Sequence, residues 1–184
     1  MAVHADSRDR VHSAVAMRFT IRDCSLGLVL VAQSVDGISA VLLGDDRETL
    51  CLDLHHRFPH VAFSQGGSPL DSLAADVVSL IESPARILDT QLDMHGTDFQ
   101  RDVWSTLRAI PGGSTVTYTD IANRIGRPGS VRAVAGACAA NPLAVIVPCH
   151  RVLRRDGQLG GYRWGIERKR TLLAREAASL CSMR

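Results

Sequence analysis

The chain has 184 residues, of which 46% are hydrophobic and 22% charged, values that are ordinary for a globular protein. This length can bury a substantial core in one domain or two small ones, and the composition excludes a disordered chain. The net charge of +2 is unevenly distributed. The first 92 residues carry 7 basic against 12 acidic side chains, and the last 92 carry 14 against 7. The basic half predicts contact with a polyanion, with nucleic acid as the leading candidate and a merely solvated basic face as the alternative.

The hydrophobic segments are too short to cross a membrane. A membrane-spanning helix needs roughly 18 consecutive apolar residues, whereas the run that begins at Leu26 ends before Gln33. The N-terminus carries charged residues before any apolar run and does not resemble a secretory signal. We therefore expect a cytoplasmic protein that has no membrane partner.

The cysteines predict neither a disulfide framework nor a zinc module. They are odd in number, widely spaced and contain no C-x-x-C pair. Adjacent histidines at 55 and 56, followed by His60, leave a metal site open, but a solvated helix end is the commoner role for such residues. We therefore predict no metal and no cofactor. The five thiols are Cys24, Cys51, Cys138, Cys149 and Cys181.

The first half predicts a small α/β unit. Strands are expected at 18–21, 26–32 and 38–43, with Asp36-Gly37 as the turn between the last two. Apolar residues recur at helical spacing from Leu50 to Phe58 and again from Leu73 to Ile81, which predicts two helices ending near Pro59 and Pro84. Alternation between 88 and 94 predicts a further strand.

The second half predicts helices, and we place a domain boundary at His95-Gly96, giving domains 1–95 and 96–184. Thr97 and Gln100 have the spacing of a capping box, and a helix follows as far as Ile110. Thr117 and Asp120 repeat that relation for a second helix, which ends at Gly126. A third helix runs from 131 to 140 and ends at Asn141-Pro142.

The last two of these helices are joined by a short turn at 127–130, an arrangement typical of a helix-turn-helix whose second helix contacts DNA. A packed helical hairpin without a ligand is the alternative. Arg132 lies in the first turn of the second helix. The small side chains that follow it would allow a close approach to a groove, or equally tight helix packing.

A candidate reactive thiol follows an apolar run at 143–147, which predicts a short buried strand. Cys149, fixed by Pro148 and followed by His150 and Arg151, has the surroundings of an activated nucleophile. A buried packing cysteine is the alternative. Adjacent side chains on a strand point to opposite faces, so His150 reaches the sulfur only from a loop or through a water.

The stretch from Gly96 to Glu176 resembles the catalytic domain of the O6-alkylguanine-DNA alkyltransferases. The first half is similar to the ribonuclease-H-like N-terminal domain of that family, notably at 42–46, and the whole chain is similar to the alkyltransferase portion of the Ada adaptive-response proteins. The resemblance implies an α/β N-terminal domain followed by a mostly α-helical domain that contains a helix-turn-helix. The matching segments are Phe99–Trp104, Tyr118, Val131–Val134, Asn141-Pro142, Ile146–Val152 and Gly161–Gly165.

The resemblance also implies roles around the thiol. Cys149 is the implied alkyl acceptor, His150 acts on it through a water, and Glu176 orients His150. Spacing alone does not select Glu176 over Glu167. Asn141 is implied to brace the turn before the cysteine.

Further residues are implied to contact DNA or the target base. The Tyr118 hydroxyl serves the base and phosphate region, and Arg132 occupies the stack vacated by the extruded nucleotide. The carbonyls of Val147 and Cys149 accept from the guanine amino group. The resemblance assigns the pocket wall to Tyr162, Arg163 and Trp164. It assigns a further DNA contact to Arg151.

The implied function is direct-reversal repair of double-stranded DNA that contains alkylated guanine. The alkyl group of O6-methylguanine, or of O4-methylthymine, passes irreversibly to Cys149 of a monomer. Because the bulky Trp164 is assigned to the wall, we expect methyl adducts to fit better than benzyl adducts. Ada proteins carry an upstream zinc domain, which nothing before Arg18 encodes, so we expect no regulatory function unless the chain is a fragment.

Two alternatives stay open from the sequence. One is a helix-turn-helix protein that binds DNA or flags lesions without chemistry, although lesion-flagging relatives lack the acceptor cysteine that stands here at position 149. The other is a cysteine hydrolase, for which the sequence identifies no oxyanion hole.

Overall fold

A computed structural model of the chain describes residues 16–84 and 88–181. A four-stranded sheet with two helices is followed by a mainly helical region, which confirms the predicted combination of an α/β and a helical part. The charged segment before residue 16 and the side chain of Cys181 lie outside the described residues. None of the helices in the described ranges is both long and apolar enough to cross a membrane.

The sheet is built from β1 (Ala16–Cys24), β2 (Gly27–Gln33), β3 (Ile38–Gly44) and β4 (Ala62–Gln65), in the order β3-β2-β1-β4. The first three strands form the predicted antiparallel meander, and β4, which the sequence did not predict, pairs parallel to β1. The predicted helices are α1 (Arg47–Arg57) and α2 (Ser68–Glu82). The Asp46 carboxylate begins α1 by accepting a hydrogen bond from the Thr49 amide at 2.7 Å.

The outer edge of β3 receives two segments that the sequence analysis wrongly predicted to be strands. Of the segment 88–94, only Leu92 forms a bridge, with Ile38, and of the segment 143–147 only Leu143 does so, with Val41. The Val41 amide donates to the Pro142 carbonyl at 2.8 Å, and the Ala144 amide donates to the Val41 carbonyl at 2.9 Å. The sheet edge therefore anchors the segment that leads to Cys149.

The helical region comprises α3 (Asp98–Arg108), α4 (Tyr118–Arg124), α5 (Val131–Ala140) and α6 (Ile166–Cys181). Both predicted capping boxes are present, at the start of α3 and of α4. The short strands β5 (Val116–Thr117) and β6 (Val152–Leu153) pair in parallel. Trp104 on α3 is buried and donates its indole N–H to the Ala137 carbonyl at 2.9 Å. This contact holds α3 against α5, and α6 carries the side chains that complete the site.

Candidate active site

The segment between α5 and Cys149 is a tight turn held by one buried amide. Asn141 accepts a hydrogen bond from the Leu143 amide at 2.9 Å and donates its side-chain N–H to the Val147 carbonyl, also at 2.9 Å. Val145 has a φ of 66°, a left-handed conformation that is unfavourable for a β-branched residue. The apolar run at 143–147 is therefore a strained turn, because edge pairing with β3 and the Asn141 bonds outweigh its strand propensity.

Cys149 begins a turn of 3₁₀ helix, Cys149–Arg151, and is only 5% exposed. The side-chain Nδ2 of Asn141 lies 3.3 Å from its Sγ. Burial raises the pKa of the Cys149 thiol to about 11, although the Asn141 hydrogen bond and the nearby positive charge of Lys169 oppose the rise. The thiol is thus protonated in the resting protein, and its activation requires a base.

His150 and Glu176 form a buried hydrogen bond of 2.8 Å between Nε2 and Oε1. The exposed Glu167 lies elsewhere on α6 and pairs with Arg170. Because an ionised carboxylate only accepts, Nε2 carries the proton and Nδ1 is the acceptor nitrogen of the ring. Nδ1 is buried and has no hydrogen-bond partner among the described residues. The structure therefore brings together Glu176, His150 and Cys149, the three residues expected to form the relay.

Burial lowers the pKa of His150, and although Glu176 favours the charged ring, the pKa stays below its usual value. Burial alone would raise the pKa of Glu176, but hydrogen bonds from His150 and Arg151 lower it below its usual value. The resting pair is therefore a neutral imidazole and an ionised carboxylate. A neutral imidazole can accept a proton.

A cavity of about 370 Å³ opens beside the sulfur. It is large enough for a small planar group such as one nucleobase, and its small wall residues leave the space open. Burial raises the pKa of Tyr118 to about 12, so its hydroxyl keeps its proton and can donate. The lining residues are Tyr118, Ala135, Cys138, Ala139, Cys149, Gly161, Tyr162 and Arg163.

Trp164 differs from its expected place in the pocket wall. It is buried behind Tyr162, with the two ring centroids 5.2 Å apart, an edge-to-face packing that large aromatic rings favour in a core. The expected preference for methyl over benzyl adducts therefore loses its stated basis. Tyr118 and Tyr162 are the aromatic side chains among the residues that line the cavity.

Arg151 is the clearest departure from the residues expected to contact DNA. Its side chain is buried, and its guanidinium donates to Glu176 and to the carbonyls of Ile110 and Pro84. The buried carboxylate needs a compensating cation, so Arg151 points inward. The prediction of a DNA contact at this position is wrong.

Three other residues expected at the interface have different surroundings from those of Arg151. Arg132 is exposed in the first turn of α5 and makes no hydrogen bond or ion pair within the described ranges. Arg163 lies at the cavity and pairs with Asp53 of α1 at 2.5 Å. The Val147 carbonyl already accepts from the Cys149 amide at 2.8 Å and from Asn141.

Sequence reasoning missed two residues near the sulfur. Lys169 is fully buried and donates to the Val152 carbonyl at 2.6 Å. Its helical spacing from Glu176, seven residues along α6, is the signal that places both on one face. Cys138, to which the sequence analysis assigned no role, lines the same cavity as Cys149. The described residues contain no cluster of three or more metal-ligating side chains.

Comparisons with known proteins agree on one family. A family model described as "6-O-methylguanine DNA methyltransferase, DNA binding domain" matches residues 98–178. The Ada protein of Escherichia coli, a "bifunctional transcriptional activator/DNA repair enzyme", is 49% identical over 89% of this chain and 46% of its own length. The chain thus spans about half of that relative. The methylated-DNA–protein-cysteine methyltransferase of Salmonella typhimurium is 41% identical over 71% of this chain and 77% of its own.

Solved structures give the same result. The O6-methylguanine methyltransferase of Mycobacterium tuberculosis superposes with a TM-score of 0.71 at 34% identity, covering 88% of this chain and 93% of its own. A structure of Mycobacterium tuberculosis OGT in complex with DNA superposes with the same TM-score at 35% identity, covering 89% and 94%.

Proposed function

Because this chain belongs to the methylated-DNA–protein-cysteine methyltransferase family, we propose that it repairs DNA directly by moving a methyl group from the O6 atom of guanine to Cys149. The observation that carries the proposal is the buried set of Cys149, His150 and Glu176 beside a cavity that fits one base. The partner is double-stranded DNA, and the protein acts as a monomer in the cytoplasm without a cofactor.

The transfer is a displacement at carbon. His150 makes no direct hydrogen bond to the Cys149 sulfur, so its neutral Nδ1 takes the thiol proton through one water, while Nε2–H stays bonded to Glu176. The sulfur electron pair forms the S–C bond, and the C–O6 bond breaks with its electrons on guanine. Solvent water then supplies the proton that restores neutral guanine, and the imidazolium of His150 returns its proton to solvent. The thioether product has no easy leaving group, so each molecule acts once.

The target atom must leave the duplex to reach the sulfur. The O6 atom lies inside the stacked helix, and a flipped nucleotide can enter a pocket at a cost of a few kcal/mol. Exposed Arg132 is suited to fill the space that is left, and Tyr118 at the pocket to donate to the base or its phosphate. These roles, with Tyr162 and Arg163 as walls and the Val147 and Cys149 carbonyls as acceptors for the guanine amino group, are part of the proposal.

The same proposal includes the finer description of the fold. The unit 1–95 is a ribonuclease-H-like domain, and the unit 96–184 is the catalytic domain. Helices α4 and α5 are its helix-turn-helix, supported by the exposure of Arg132, Ala133 and Gly136 along one side of α5.

Intact mass spectrometry tests the function. After incubation with an oligonucleotide duplex that contains O6-methylguanine, we expect a gain of about 14 Da, one methyl for one hydrogen, and a peptide map that places it on Cys149. Cys149→Ser should bind the duplex but gain no mass, while Cys51→Ser, a matched change on the outer face of α1, should react as the unmodified chain does. Binding without a mass gain in the unmodified chain would favour a lesion-flagging protein, and repeated turnover a hydrolase.

A further inference from the structure

Arg151 is buried beside the relay and faces away from solvent. Its Nε lies 3.0 Å from Oε1 and 3.2 Å from Oε2 of Glu176, and its Nη2 lies 2.9 Å from Oε1. Its remaining donors reach the carbonyls of Ile110 at 2.5 Å and Pro84 at 3.0 Å. The guanidinium is thereby held by two backbone carbonyls and, along its Nε–Nη2 edge, by the carboxylate.

Glu176 is saturated by donors. Besides Arg151, its carboxylate accepts from the His150 ring at 2.8 Å and from the Gly113 amide at 2.8 Å. A carboxylate whose charge is already balanced by a bidentate guanidinium attracts a further proton on the imidazole less than a bare carboxylate would. Arg151 therefore acts on His150 through Glu176.

The charged and titratable groups around the His150 ring come from three elements. Glu176 and Lys169 lie on α6, Arg151 and Cys149 lie on the 3₁₀ turn, and the Tyr162 ring stands edge-on with its centroid 6.4 Å away. Arg151 and Lys169 both disfavour a positive imidazole, whereas Glu176 favours it. Removal of Arg151 leaves the effect of Glu176 less opposed and so favours the positively charged imidazole.

We propose that Arg151 is a positioning residue of the transfer reaction, which rests on the function proposed above: by pairing with Glu176 it keeps His150 neutral, with Nδ1 available to receive the thiol proton. If Arg151 were only a structural anchor, its hydrogen bonds to the carbonyls of Ile110 and Pro84 would suffice. The multiple contacts with one carboxylate oxygen are what a charge-balancing role requires.

The pH dependence of single-turnover transfer tests this inference. The rate requires neutral His150 and falls below its pKa. Arg151→Gln removes the cation, raises the pKa of His150, and should move the acid limb to higher pH; a move of one unit lowers the rate at a fixed acid pH about tenfold. Arg151→Lys keeps the charge and should keep the wild-type limb at a reduced plateau. A wild-type limb in Arg151→Gln, with only a lower plateau, would overturn the inference.

A matched control and a second readout separate this idea from the function itself. Arg170 is an exposed arginine on α6 that pairs with Glu167. Arg170→Gln should leave the pH profile and the plateau rate unchanged. If the wild-type chain transfers no methyl group at any pH, the proposed function fails, and the inference is then judged by nitrogen NMR titration of the wild type and of Arg151→Gln. With the His150 signal identified from His150→Gln, a ring that becomes doubly protonated at a higher pH in Arg151→Gln than in the wild type supports the role, and protonation at the same pH in both contradicts it. If Arg151→Gln does not fold, Arg151→Met replaces it in the same comparison.

Discussion

The Cys149 thiol, to which we assign the reactive role, is unreactive in its resting state. With a pKa of about 11, roughly one sulfur in a thousand is ionised at pH 8. The side chain is also nearly inaccessible. In the proposed reaction His150 therefore has to remove the thiol proton, since the Asn141 hydrogen bond does not offset the effect of burial on the thiol pKa.

Alkylation of the free protein by iodoacetamide checks this state. Because the folded pKa lies above the tested range, the ionised fraction and hence the rate at Cys149 should rise about tenfold per unit from pH 7 to pH 10. Cys51, which is partly exposed on α1, is the internal reference in the same peptide map. Equal labelling of the two cysteines at pH 7, or a flat profile for Cys149, would contradict the buried protonated thiol.

Single residues of the site could be predicted only in part from the sequence. The order Pro-Cys-His-Arg suggested a nucleophile with a base because the residue types carry the chemistry. It could not show that Arg151 points inward, since that depends on a carboxylate 25 residues away. Nor could spacing separate Glu176 from Glu167, which are two and a half turns apart on one helix.

Helix α5 is suited to a close approach because its outer side carries almost no side-chain bulk. Ala133, Gly136 and Ala139 are exposed there, and Arg132 projects from the first turn without a partner in the described residues. Its long cation stands where the helix has no other large side chain. The helix therefore presents one long basic group on an otherwise flat surface.

Arg132→Ala tests that arrangement. If Arg132 fills the vacated stack as proposed, transfer from O6-methylguanine in a duplex should slow by at least about tenfold when that group is lost. Reaction with the free base should be unchanged, since no flipping is needed. Unfolding free energy should stay within about 0.5 kcal/mol of wild type, as usual for an exposed site. Arg170→Ala is the control, and an equal loss on free base and duplex would argue against the assigned role.

Among the elements, those with local signals were predicted and those without were not. The capping boxes at Thr97 and Thr117 fixed the starts of α3 and α4 because both partners lie within four residues. The apolar run at 143–147 failed because a buried turn and a buried strand have the same hydrophobicity. The unpredicted strand β4 is short and mostly exposed, so no alternation revealed it.

The two halves of the molecule are joined through charged side chains as well as apolar packing. Asp53 on α1 pairs with Arg57 at 3.3 Å and with Arg163 at 2.5 Å, and Arg57 also donates to the Ala140 carbonyl. Arg175 on α6 donates to the Ile81 carbonyl at 2.7 Å. The segment that carries Arg163, the end of α5 and helix α6 are thus bonded to the helices of the sheet half. We therefore expect the described regions to unfold together.

Asp53→Ala measures one of these ties. Partly exposed ion pairs contribute little, so the unfolding free energy should fall by at most about 1 kcal/mol. For a protein of this size that loss lowers Tm by at most about 2 to 4 °C. Calorimetry should still show a single transition. Asp76→Ala, an exposed aspartate on α2, should leave Tm unchanged. Two separate transitions in the unmodified chain would contradict joint unfolding.

Val145 adopts a backbone conformation that its own side chain disfavours, at a typical cost of about 1 to 3 kcal/mol. The pairing of Leu143 with Val41 on β3, together with the hydrogen bonds of Asn141, holds it there. A genetic screen for inactive variants should therefore recover substitutions around Val41, in a half of the chain that supplies no chemical group. Because Val41 is itself fully buried, such variants would also lose unfolding free energy. Those that stay folded would have a misaligned sulfur and would show a repair defect larger than their loss of stability explains.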